Sequence, residues 1–403
     1  MFHQSLLTEN VRCDVVCDSN IERALACNDS TRAAKLVTSV GELADVVRTG
    51  RLAICEDATL AAAAPSIDVL FDASTAIDAA PQFITMAMAT GKHVVLMNAE
   101  ADTLFGPFFW REAQRYEVGY TSADGDQPVV LARLVEELRF YGLTFVMAGN
   151  IKGFLDRYTD PIKIQPEAAK RYLDPQQCAS YTDGTKLAVE MSIVANGLGC
   201  NLLRKGMIGP RVAEIDLLAA FDLAGRWGPG KPPVVDYILG AKPKGGIFVV
   251  GYTDDAYQRR MLNWFPSDLG QPGPFYFLTR PYHLVHMETM RTVIEVGRTG
   301  RSILAPRYGM RTEVICYAKQ ELRAATILTG PGGFECYGLI EERDRSTPGL
   351  PICLSSGAKL NRAIQKDSRI EFRDVDEGLL PRQALKAYRE ALAVTSSTGF
   401  LAE

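Results

Sequence analysis

The 403-residue sequence lacks any run of about 18 apolar residues, so no ordinary membrane-spanning helix is expected. It also lacks an excess of positive charge. Its 44 Lys and Arg stand against 48 Asp and Glu, net −4, which removes any general electrostatic case for binding nucleic acid or an anionic membrane. Histidine is scarce, with only His3, His93, His283 and His286, and no HExxH occurs, so a zinc hydrolase of that type is excluded. The nine cysteines are scattered singly without a CxxC, which supports neither a zinc ribbon nor a CxxC redox pair. The first residues, MFHQSLLTEN, have no basic region followed by an apolar core and a small-residue cleavage site, so a cytoplasmic location is expected. A glycine-rich GxGxxG, whose backbone N–H groups would meet a pyrophosphate, is missing as well.

What is present is globular. The chain is 47% hydrophobic and 23% charged, and its length predicts two or three domains. The first half alternates short apolar runs with amphipathic segments, the pattern of βαβ units on a parallel sheet. Strands are expected at Val11–Cys17, Ile67–Ala73, His93–Met97, Val118–Ser122 and Thr144–Ala148, and helices at Ser19–Cys27, Ala76–Thr90, Ala101–Tyr116 and Pro128–Tyr141. Gly91 is placed to stop the second of these helices. From about residue 150 charged and turn residues punctuate the chain, then a helix is expected from Asp183 to about Leu198. Residues 225–246 are so rich in Gly and Pro that a surface excursion or lid is expected. The last segment predicts short strands at Val314–Ala318, Ala325–Leu328, Tyr337–Ile340 and Arg369–Phe372. The expected fold is α/β: a Rossmann-like domain over 1–148 whose first βα unit is missing, an α+β catalytic and dimerisation domain over 149–311, and a small β-rich domain over 312–403. On this reading the stub Phe2–Thr8 is the tail of the first helix.

Several residues can carry chemistry. Asp18 follows the Val11–Cys17 strand, where an acid in a dinucleotide fold meets ribose hydroxyls, although it could equally cap the next helix. Ser74, Asn98 and Glu100 stand at the ends of two further apolar strands, at the sheet edge where such folds bind ligands. Ser74 and Asn98 can also be helix caps. In Thr182–Glu190, Asp183, Lys186 and Glu190 are expected to share one face near a helix N-terminus. There a lysine can polarise a carbonyl, and a carboxylate can move a proton or hold a divalent ion. The alternative is a solvated Lys–Glu pair worth ~0.2–0.5 kcal/mol. Arg280, His283 and His286 lie in the aromatic strip Phe275–Glu288 and suit an anionic sugar or acid. In the alternative His283 caps a helix and His286 is a core residue. Arg204, Lys205, Lys242 and Lys244 are further candidates for phosphate contacts.

These stretches carry a resemblance. Gly91-Lys-His-Val-Val-Leu-Met-Asn98 is similar to a strand of the homoserine-dehydrogenase-like oxidoreductases. Asn98–Asp102, Ala123–Pro128, Ala148–Gly153 and Thr182–Glu190 resemble, more closely, the deoxyxylulose-phosphate reductoisomerase-like enzymes, and Ala318–Leu328 is similar to the SAF module. The resemblance implies an NAD(P)-binding domain, a catalytic and dimerising domain, and a reaction at a carbonyl carbon. The expected cofactor is NADP or NAD, with a divalent metal possible. Asp18 would repel a 2′-phosphate, but Arg23 lies close in sequence. The expected partners are an anionic small-molecule substrate and a second copy of the chain, with no nucleic acid and no membrane. Reductoisomerisation of deoxyxylulose phosphate, a simple homoserine-type dehydrogenation and a cofactor-deficient ligand-binding role all remain open at this stage.

Overall fold

The computed structural model describes residues 1–397 apart from 29–31, 214–216, 243–244, 265–268 and 270–272. Among them the chain forms an α/β protein that divides into two units.

Among its described residues unit 1 comprises Met1–Asp126, Leu284–Ala305 and 386–397. Its strands are β1 (Val15–Cys17), β2 (Ala34–Leu36), β3 (Leu52–Cys55), β4 (Val69–Asp72), β5 (His93–Leu96) and β6 (Tyr120–Ser122). They form two parallel sheets, ordered β1-β3-β2 and β4-β5-β6. Strands buried on both faces read as unbroken apolar runs, and β3 shows why. Ala53 and Cys55 join a cluster with Leu43, Val46 and Val47, while Leu52 and Ile54 join a different one with Phe2 and Ala24. Leu43, Val46 and Val47 are the apolar face of the Val40–Arg48 helix, whose N-terminus Ser39 caps by accepting the Glu42 N–H. The helix Ala80–Ala89 gives way at Thr90 and Gly91, the latter at φ +80°, as expected. A helix from Val285 to Thr299 returns to this unit and buries Val296 with Val95 and Ala123. Gly119 is required there, because a Cβ would come within 2.4 Å of Val296 and 2.8 Å of the Gly300 carbonyl.

Unit 2 comprises Gln127–His283 and Pro306–Leu385 among its described residues. Its main sheet holds β7 (Thr144–Lys152), β8 (Asn201–Leu202), β9 (Val234–Leu239), β10 (Ile247–Tyr252) and β11 (Phe275–Arg280) in the order β11-β10-β7-β9-β8. β10 runs antiparallel to β7 and β11, whereas β9 is parallel to β7 and β8. The Thr185–Leu198 helix, buried along almost its whole length, packs on β7 and β9. β12 (Thr312–Ala318) and β13 (Cys336–Glu342) form an antiparallel pair. Isolated bridges such as Leu322–Ile364 and Leu360–Val375 extend the β-rich region around them.

Four differences from the sequence expectations have physical causes. The units divide at Asp126, not at 148, because β7 pairs with β9 and β10. The β-rich region from 312 to 385 clusters with residues 127–283 instead of standing apart. The Gly/Pro-rich stretch 225–246 is not simply a surface excursion: it contains β9, an interior strand whose Val234, Val235 and Asp236 are buried. Lastly, the aromatic strip from Phe275 is partly internal. Phe275 packs on Trp227 and Tyr252 and Tyr276 is buried, while Trp264 and Tyr282 are exposed. No helix among the described residues is long and apolar enough to cross a membrane.

Candidate active site

In unit 1 the polar residues gather at the carboxyl ends of parallel strands, where the last peptide groups have no further strand partners. Asp72 closes β4, and its Oδ1 accepts the Ser74 N–H at 2.9 Å. The Asn98 amide donates to Asp72 Oδ2 at 3.1 Å and to the Ala76 carbonyl at 2.9 Å, while its oxygen accepts the Ala101 N–H at 3.1 Å. Asn98 is therefore a buried helix cap that also ties the end of β4 to the end of β5. Glu100 is half-buried in the first turn of the same helix, and Ser74 is exposed, its hydroxyl accepting the Ala76 N–H. Asp18 is half-buried just beyond β1; its Oδ1 accepts the Asn20 N–H at 2.8 Å and its own N–H donates to the Cys55 carbonyl.

Three buried carboxylates of this unit were not singled out from the sequence, although they stand inside the stretches that carry the resemblance. Asp102 accepts the Ser122 hydroxyl at 2.6 Å and the Tyr120 phenol. Asp124 and Asp126 follow β6 and are buried as well, the Asp124 N–H donating to Thr292 Oγ1 at 2.8 Å. Burial raises the Asp72 and Asp102 carboxyls above their ordinary range, and the charge of Asp126 adds to the effect on Asp102.

In unit 2 the expected trio on one helix face is not one group. The helix begins at Thr185 after Gly184 at φ +90°, so Asp183 precedes it and accepts the Thr185 N–H at 2.8 Å. The Asp183 carboxylate lies 2.9 Å from Lys319 Nζ, both side chains buried, and Lys319 also donates to the carbonyls of Thr159 and Gly333 at 2.7 Å each. Burial raises the Asp183 carboxyl and the ammonium opposes that rise. Lys319, which sequence reasoning missed because it sits in a polar run, makes Asp183 a structural anchor. Lys186 and Glu190 remain together one turn apart, Lys186 half-buried and Glu190 buried.

Two further places complete this set. Asn150 on β7 is fully buried, and neither atom of its amide has a hydrogen-bond partner among the described residues. It stands in register with Tyr237 on β9 and Ile247 on β10. Leaving a buried amide unpaired costs about 1–3 kcal/mol, so this position is kept at a price in stability. His283 Nε2 meets the Gln127 amide nitrogen at 3.0 Å; with that amide donating, the ring proton resides on Nδ1. Arg280 ends β11 half-buried with its guanidinium 4.7 Å from the Tyr282 ring. His283 is not the cap of the following helix, a position taken by Leu284, and His286 is exposed in that helix, which belongs to unit 1. His286 is therefore not a core residue. Arg204 and Lys205 are exposed, the former donating to the Met207 carbonyl and the latter lying over Tyr317. Lys242 is exposed and Lys244 falls outside the described residues. Among the described residues no group of three or more His, Cys, Asp and Glu is placed to hold a metal ion.

Residues 125–289 match the family described as oxidoreductase DRL, catalytic domain. This stretch contains Asn150, Lys186, Glu190, Arg280 and His283. Over 86 residues the chain is 30% identical to a 1-deoxy-D-xylulose 5-phosphate reductoisomerase of Thermus thermophilus, a similarity that covers 21% of this chain and 23% of that relative's length. Among solved structures it is similar to a probable dehydrogenase from Thermotoga maritima, at 12% identity and TM-score 0.39 over 75% of this chain and 85% of that one. It is also similar to a 1-deoxy-D-xylulose 5-phosphate reductoisomerase from Zymomonas mobilis in complex with NADPH, at 15% identity and TM-score 0.30 over 44% of this chain and 49% of that one.

Proposed function

We propose that this protein is an NAD- or NADP-dependent oxidoreductase acting on a small, polar, anionic carbonyl or hydroxyl compound. The observation that carries this reading is the match of residues 125–289 to an oxidoreductase catalytic domain, because that span holds Lys186, the buried Glu190 one turn on, and an Asn150 amide unpaired among the described residues. Within it, the partial identity to a reductoisomerase favours a sugar phosphate such as deoxyxylulose phosphate, with skeletal rearrangement preceding reduction of the aldehyde. The dinucleotide is assigned to unit 1. The half-buried Asp18 carboxylate, with one oxygen already taken by Asn20, fits the ribose hydroxyls, and the exposed backbone around Ser74 fits a ligand at the sheet edge. A bound reduced nicotinamide would supply the hydride.

The catalytic work is assigned to unit 2. Reduction of a carbonyl builds negative charge on oxygen, and the Lys186 ammonium is the fixed positive donor for it. Glu190, one turn further on the same helix face, holds that ammonium in place. The Asn150 amide, unpaired among the described residues, offers a donor and an acceptor to a substrate hydroxyl. Arg280 and the Nδ1–H of His283 hold the anionic end of the substrate. The same reading includes a homodimer, for which exposed Tyr257, Trp264 and Tyr282 offer apolar surface; a monomeric mass by light scattering at micromolar concentration would overturn that part.

The test follows nicotinamide absorbance with candidate sugar phosphates. Lys186→Ala is expected to lower kcat by roughly 100-fold or more, the scale of losing one charge-stabilising donor. Arg280→Ala is expected to raise KM with little change in kcat, because it removes binding common to ground and transition states. Near-normal turnover in Lys186→Ala, with an unchanged melting curve, would show the turn to be an ordinary ion pair. Absence of any nicotinamide oxidation by the wild type across the substrate series would overturn the function itself.

A further inference from the structure

Within unit 2, away from the residues just described, a cavity of about 360 Å³ lies where the start of β8 meets one end of the β12–β13 pair. Arg311, Arg343 and Arg345 line it, with Asn201, Thr312 and Glu342. Arg311 and Arg343 flank the ladder directly opposite each other: Thr312 and Glu342 are in register, and the Arg343 N–H donates to the Arg311 carbonyl at 2.9 Å. Like charges opposite one another on antiparallel strands are destabilising unless something neutralises them. The protein neutralises them only in part. Arg311 bonds to the neutral Asn201 side chain, and Arg343 reaches the Glu313 carboxylate at 3.9 Å. Arg311 Nε and Arg343 Nη1 are buried and have no acceptor among the described residues. Cys200, also in the wall, adds no negative charge, since burial keeps its thiol protonated. Three guanidinium groups thus line the cavity with one carboxylate, Glu342, and Arg343 has a second, Glu313, beside it, which leaves an excess of positive charge in one place.

We infer that this cavity binds a phosphate monoester of a small metabolite, distinct from the substrate site proposed above. Guanidinium forks match oxyanions with paired N–H···O bonds, and a phosphate offers three oxygens to three such forks where a carboxylate offers two. The volume falls within the ordinary range for small-molecule sites, about 300–1,000 Å³, and leaves room for an organic body beyond the phosphoryl group. The ligand would pair with the guanidinium nitrogens that face the cavity, and its charge would relieve the repulsion across the ladder.

Calorimetry on the full chain at low ionic strength tests this with glycerol phosphate, inorganic phosphate and succinate. Glycerol phosphate is expected to bind at least about tenfold more tightly than succinate. Arg343→Gln and Arg345→Gln should each weaken it by about tenfold or more, the scale of one lost charge-assisted bond. Arg48→Gln, which removes an exposed arginine of unit 1, should leave it unchanged. Inorganic phosphate binding as tightly as the ester would support the phosphoryl recognition and name free phosphate as the occupant. Arg345 is exposed, so its variant remains informative should Arg343→Gln fail to fold. Equal binding of succinate, equal loss in Arg48→Gln, or no heat with either phosphate up to about 10 mM would overturn the inference.

Discussion

Asp102 in unit 1 and Asp183 in unit 2 are both buried carboxylates, and they are held in opposite ways. Asp102 accepts hydroxyl protons from Tyr120 and Ser122, and the nearby Asp126 charge works against its ionisation. Asp183 meets an ammonium, and that ammonium spends further protons on the carbonyls of Thr159 and Gly333. The first arrangement tolerates a proton on the carboxyl, because neutral donors lose little when the charge disappears. The second does not, because neutralising either partner leaves the other charged in a dry interior. Neutral substitutions should therefore separate the two units sharply.

The largest expected effect is at the ion pair. Lys319→Met should cost about 3–5 kcal/mol by urea unfolding, the usual scale for stranding a buried charge. Asp183→Asn combined with Lys319→Met should recover much of that loss, since both charges are gone. A cost below about 1 kcal/mol for the single variant would mean that the pair is not buried in solution, and the contrast with Asp102 would collapse.

Asp236 sharpens the comparison within unit 2. It has no ammonium; its carboxylate accepts the N–H groups of Ile208, Gly209 and Tyr237, each at 2.8 Å. Burial pushes its pKa up to about 6 despite those bonds. The folded value lies above the unfolded one of about 3.9, so the folded state binds more protons between them. Its contribution to stability is therefore present below about pH 4 and lost as pH rises through about 6. Two pKa units correspond to about 3 kcal/mol at most. Asp236→Asn should flatten the stability profile between pH 4 and 6, whereas a profile identical to wild type would place the proton elsewhere.

The regular alternation of unit 1 was legible in the sequence at several of its strands. β4, β5 and β6 fall within the expected spans, and so does the start of β7. β2 and β3, no shorter than β6, were missed with the helices beside them; β2 is the largely exposed Ala34-Lys35-Leu36, which shows no apolar run. β9 was hidden by the prolines and glycines on either side of it, although it is apolar apart from Asp236 and buried apart from Leu239. Asn98, Lys186 and Glu190 could be named from strand ends and helical spacing, which are local. Lys319 could not be joined to Asp183 by any local rule, since the contact spans two elements far apart in the chain. The same holds for Arg311 and Arg343, whose proximity exists only once β12 and β13 pair.

The smallest expected effect lies at Asp102, and it decides whether the opening comparison is correct. The side chain sits in the Ala99–Arg115 helix among buried Ala101, Phe105 and Phe109, so water cannot replace its partners. Asn keeps the shape and still offers an oxygen to one hydroxyl, while its NH₂ can donate to the other. Asp102→Asn should then change stability at neutral pH by no more than about 1 kcal/mol, the net worth of a typical hydrogen bond. Asp102→Ala should cost about 1–3 kcal/mol, because the Tyr120 and Ser122 hydroxyls are left unsatisfied in the interior. Burial raises the Asp102 pKa, so the wild type should lose stability relative to Asp102→Asn as pH rises through that value. Denaturant midpoints across a pH series measure all three chains. If Asp102→Asn proves as damaging as Lys319→Met, the carboxylate is needed as a charge, and unit 1 buries its acids on the same terms as unit 2.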